Sequence, residues 1–146
     1  MNLAQVRNVV VTLVGAAVFV VLADLAVVAG YGLFEVDRPT LFARLQALWS
    51  FLALVVPGLG IGVFAARSAV TLSAAAYLLG EMIIIYRHNW FGYRAAGNYL
   101  PEGHYVIYSL RDVLIWAAIG GVMGLIGAWL RRRLTIGSSD RGSRLR

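Results

Sequence analysis

An all-α, four-helix membrane bundle is the fold class this sequence predicts, and three observations predict it. Apolar stretches near residues 9–34, 47–66, 69–86 and 113–130 fill most of the 146-residue chain. Each meets or approaches the roughly 20 residues that one crossing of the hydrocarbon core requires at about 1.5 Å rise per residue. Hydrophobic residues make up 60% of the chain and charged residues only 14%, too few to cover the surface of a soluble domain of this size. The last stretch ends abruptly in Arg131-Arg132-Arg133, the mark of a span leaving the lipid. Residues 1–134 read as one transmembrane domain, and residues 135–146 as a basic, Gly/Ser-rich, mobile tail.

The first apolar run is interrupted only by Thr12 and Asp24 and is too long for a cleaved secretory signal, so it reads as a retained helix. Pro39 marks a turn or helix start, and residues 41–46 are amphipathic enough to lie in the interface before the second span. Pro57-Gly58-Leu59-Gly60 falls inside that span, where Pro57 has no N–H for the carbonyl of Ala53. A bend is the first reading of this cluster, and an unwound ion site of the transporter type the second. Arg67-Ser68 leaves room only for a tight antiparallel hairpin between spans two and three. Ser109 and Asp112 have capping-box spacing and predict the start of the fourth helix. Trp116 and Trp129, about 20 Å apart along that helix, suit the two membrane interfaces. Gly120, Gly124 and Ala128 recur every four residues, a row that allows close approach to another helix of this chain or of a second subunit.

All thirteen basic residues are arginine, a bias that points to genome composition or a hot habitat and to a prokaryotic source. With four spans both termini share a side, which carries eight arginines (Arg7, Arg67, Arg131, Arg132, Arg133, Arg141, Arg144 and Arg146) against five opposite. The excess predicts a multi-pass cell-membrane protein with both termini cytoplasmic. The net charge of +6 sits beside spans and in a short tail, so anionic lipid headgroups are the expected partners and nucleic acid is not.

Cysteine is absent, which excludes disulfides, thiolate catalysis and Cys-based metal sites. Asp24 and Glu81 are the two carboxylates inside spans, at similar depths of about 22 and 18 Å along their helices. A lone charge there costs on the order of 2.5–3.5 kcal/mol, so each needs a partner, a proton or water. Tyr77, Glu81 and His88 share one helix face, and Tyr31 lies seven residues beyond Asp24. If these stripes meet, they line an outward pocket, with an arginine such as Arg87 or Arg111 able to reach between the carboxylates.

The segment from Arg87 to Arg111 reads as a long outer loop rich in rings, with Trp90, Phe91, Tyr93, Tyr99, His104 and Tyr105 as candidate ligand- or partner-binding residues. Its other reading is an interfacial aromatic belt. Glu81, His88 and His104 lack the spacing of a metal site, and no nucleophile motif or cofactor signature occurs. The expectation is a non-catalytic membrane subunit or binding module that joins other membrane subunits or copies of itself. The alternative is a small oligomeric proton-coupled transporter or channel using Asp24 and Glu81.

Overall fold

The computed structural model describes residues 2–32, 39–65, 68–87 and 102–143, all in or beside four helices. These are α1 (Leu3–Gly32), α2 (Pro39–Phe64), α3 (Ala69–Arg87) and α4 (Glu102–Ser143). Their segments Leu3–Gly30, Thr40–Phe64, Ala69–Arg87 and Leu110–Thr135 are long and apolar enough to cross a membrane. Large side chains such as Val14, Phe51 and Leu125 stand more than half exposed on the outside, the arrangement lipid favours and water penalises.

The first three helices begin for local reasons. Asn2 caps α1 reciprocally: its Oδ1 accepts from the Gln5 N–H at 2.9 Å, while the Gln5 side chain accepts from the Asn2 N–H at 2.8 Å. α2 starts at Pro39, whose missing N–H costs nothing in a first turn. It stays helical through Pro57, so the Pro/Gly cluster is not unwound. The segment 41–46, expected in the interface, is part of α2. Gln46 lies against Gly30 of α1, where an added Cβ would come 2.8 Å from its Nε2. α3 starts after Ser68, which turns the chain at φ 58° and whose carbonyl accepts from the Leu72 N–H at 3.0 Å.

α4 departs most from expectation. It begins at Glu102, so Ser109 lies within the helix and caps nothing, and Asp112 accepts from its neighbour Arg111 at 3.2 Å. The helix also continues as far as Ser143.

In cross-section the helices form a rhombus. α1 adjoins α2 and α3, α4 adjoins the same two, and α2 meets α3 across the short diagonal. The core is made of small residues: Ala16, Ile61, Ala65, Ala69 and Ala76 form one buried cluster. Phe19, Ala53 and Tyr77 form the other.

Close approach is set by glycine. A Cβ on Gly124 would lie 2.6 Å from the Ala69 carbonyl oxygen and 2.7 Å from the Ser73 Cβ. One on Gly120 would lie 2.6 Å from the Tyr77 ring. Gly62 of α2 and Gly127 of α4 meet almost backbone to backbone, with a Cβ on Gly62 reaching 2.6 Å from the Gly127 Cα. The row read from the sequence thus faces α3, and a second glycine contact faces α2.

Gly124→Leu is expected to lower stability in detergent by at least about 1–3 kcal/mol, because backbone must move to admit the side chain. Leu125→Ile, on an exposed position, is expected to change it by less than about 0.5 kcal/mol. Denaturant titration of both variants decides, and equal midpoints would remove the role given to the glycine contact.

Candidate functional site

The buried polar centre of the bundle is built on Tyr77. Its α3 position places it on the inward face with Ala69, Ser73, Ala76 and Gly80, at helical offsets of four, seven, eight and eleven from Ala69. The side chain is fully buried. Its hydroxyl donates to the Leu54 carbonyl at 2.6 Å and accepts from the Gly58 N–H at 3.3 Å. Those are the two groups that a regular helix pairs with each other. The phenol therefore sits at the ladder of α2 immediately beside Pro57, where the helix has already lost one donor.

Tyr77, which the sequence sets on one face with Glu81 and His88, lies on the inward face of α3. Its ring packs among aromatic neighbours. Phe19 of α1 lies 4.8 Å away between centroids, and Trp116 of α4 lies 6.3 Å from Tyr77 and 5.1 Å from Phe19. Trp116, expected at an interface, is half-buried in this cluster. Ser73 is packed one turn away with its Oγ unpaired, the only such buried side-chain atom among the described residues. A Cβ on Gly58 would come 3.1 Å from that oxygen, so the crossing is tight.

Asp24 is held from α3. Arg87 Nη1 donates to Asp24 Oδ2 at 2.7 Å and Nη2 donates to Oδ1, a bidentate pair at the bundle edge. Both side chains remain partly exposed, at 31% for Asp24 and 45% for Arg87. Glu81 is half-buried on α3, about 9 Å before Arg87 along the helix axis. The side chain of Tyr31 lies outside the described residues, as do His88, Trp90, Phe91, Tyr93 and Tyr99. The backbones of His104 and Tyr105 belong to the start of α4, and their side chains lie outside the described set.

The opposite end of the bundle carries Arg7 and the arginine triplet. Arg131 donates to the Ala65 carbonyl at the end of α2, supplying a partner that a helix C-terminus lacks. The Arg133 guanidinium lies 4.9 Å from the Trp129 ring centroid. None of these partners was readable from spacing, because each joins residues on different helices or depends on side-chain direction. The Asn2–Gln5 box, in contrast, was present in the sequence as Asn-x-x-Gln and went unread.

Among the described residues, cavities open outward on two faces. A groove of about 250 Å³ between α1 and α2 is lined by Val10, Val14, Val18, Pro57, Gly60 and Phe64, among others. A trough of about 500 Å³ runs along α4, lined by Leu125, Ile126, Ala128, Trp129 and Arg132. Neither is lined by Asp24 or Glu81. Among the described residues no three acidic or histidine side chains lie close enough to hold a metal ion. No family model, curated protein or solved structure matches the chain.

Tyr77→Phe keeps the ring cluster and deletes the hydroxyl. It is expected to cost about 1 kcal/mol, since Leu54 and Gly58 can then pair only with each other, against the phenyl ring. Unfolding of the variant in mixed micelles measures this, and an unchanged midpoint would show that the bridge contributes nothing.

Proposed function

We propose that the chain is a non-catalytic integral membrane subunit or binding module of a larger membrane assembly. One observation supports this above the rest: apart from the Ser73 hydroxyl, the polar groups placed between the described helices hold those helices together. Tyr77 is spent on α2, Asp24 on Arg87 and Arg131 on Ala65. The glycines Gly62, Gly120, Gly124 and Gly127 are spent on contacts inside the bundle. What the chain offers to others is therefore its outer surface, including Gly60, around which a Cβ would meet nothing within 4 Å.

The proposed placement is the cell membrane with both termini cytoplasmic, supported by the eight-to-five arginine asymmetry. Accessibility labelling of single-cysteine variants is expected to find Arg67 and the tail inside and Tyr99 outside. A tail labelled from outside would overturn the orientation.

Purification of the full chain in mild detergent is expected to bring down a larger membrane polypeptide at constant ratio. In the same preparation Asp24→Asn and Arg87→Gln should lower stability non-additively, with a coupling of about 0.5–3 kcal/mol. A homogeneous homo-oligomer whose proton-driven flux in liposomes is abolished by Asp24→Asn and Glu81→Gln would replace this reading with the transporter.

A further inference from the structure

The trough on α4 combines three features that a single class of molecule satisfies. Its floor is apolar: Leu125 and Ile126 face outward, with Leu125 59% exposed, and Ala128 is half-buried against the bundle. Trp129 lies one turn further on, and Arg132 closes the end. From Leu125 to Arg132 is seven residues, about 10 Å along the axis, so an apolar chain can lie along the trough while an anion meets the guanidinium.

The three consecutive arginines are not equivalent. Arg131 is committed to the Ala65 carbonyl and Arg133 to the Trp129 face. The Arg132 guanidinium has no ion-pair or hydrogen-bond partner among the described residues, and it is the one that lines the trough. Trp129 and Arg132 stand where α4 leaves its apolar span, the level at which indoles and guanidinium groups meet headgroups.

We infer that this trough is a binding site for one anionic phospholipid, its phosphate on Arg132, its glycerol beside Trp129 and an acyl chain over Ile126 and Leu125. A second copy of the chain is a poorer occupant. A two-fold contact along this face would set two arginine triplets side by side, with no acid among the described side chains of that stretch to separate them. A lipid brings the negative charge and the apolar chain together.

Native mass spectrometry of the full chain in detergent, titrated with phosphatidylglycerol or phosphatidylcholine, tests the assignment. One phosphatidylglycerol is expected to bind at least fivefold more tightly than phosphatidylcholine, as about one guanidinium–headgroup contact allows. Arg132→Gln should remove that preference, and Ile126→Trp, which fills the trough without touching the charge, should weaken both lipids. Arg7→Gln, a cation on another helix at the same end, should leave the preference intact, and inorganic phosphate should not compete. Equal binding of the two lipids, or a preference that survives Arg132→Gln, would overturn the site. So would equal loss in Arg7→Gln, which means diffuse surface charge, competition by inorganic phosphate, which means a bare anion site, or a co-purifying polypeptide that shields Trp129 in place of lipid.

Discussion

The hydroxyl of Tyr77 is the constraint on which the arrangement of the four helices depends. In lipid a backbone group without a partner has no water to turn to, and each such group costs several kcal/mol. Pro57 opens the ladder of α2 in the middle of a span, and the phenol from α3 enters at the adjacent rung, accepting from the Gly58 N–H and donating to the Leu54 carbonyl. The bond works only if α2 and α3 cross closely there, which Gly58 and Ser73 permit. The ring that carries the hydroxyl then touches Phe19 of α1 and Trp116 of α4. One side chain thus joins all four helices, and the Phe19–Trp116 contact bridges α1 and α4, whose backbones make no close approach among the described residues.

The two ends of the bundle solve a similar problem with charge. At one end a carboxylate within the apolar run of α1 is neutralised by a guanidinium two turns beyond the Gly80 crossing of α3. A fork-to-fork pair satisfies both oxygens of Asp24. At the other end the problem is a terminal carbonyl. Arg131 reaches it from α4, and a cation at a helix C-terminus also complements the dipole. Within the triplet that marks the end of a span, Arg131 therefore holds α2 and Arg133 lies over the Trp129 ring.

How much of this was legible depends on the length scale of the interaction. The number and order of the helices follow from apolar runs that any one segment displays by itself, and the glycine row of α4 shows as a spacing of four. The start of α4 was misread because Ser109 and Asp112 carry the local pattern of a cap, while nothing local says that helical hydrogen bonding already runs from Glu102. Tyr77 was legible as a polar residue on one row with Ser73 and Glu81, but its partner was not, because the bonded Gly58 N–H lies nineteen residues away on another helix. Asp24 was legible as a group in need of a partner, and Arg87 as an arginine within reach.

The division between interior and surface bears on how such a chain can act. Helices in lipid gain little from burying apolar surface against one another, so close packing at glycine and a few hydrogen bonds must supply the association. Here those resources are used within the chain: the described glycines of α4, Gly120, Gly121, Gly124 and Gly127, all face other helices of the bundle. An additional helix would have to dock where packing is still incomplete, and Gly60 in the α1–α2 groove is such a place. That groove carries no charge among its lining residues, whereas the α4 trough ends in Arg132. The two openings differ in kind for that reason: the uncharged one suits a surface recognised by shape, and the arginine-tipped one suits a molecule with an anionic head and an apolar tail.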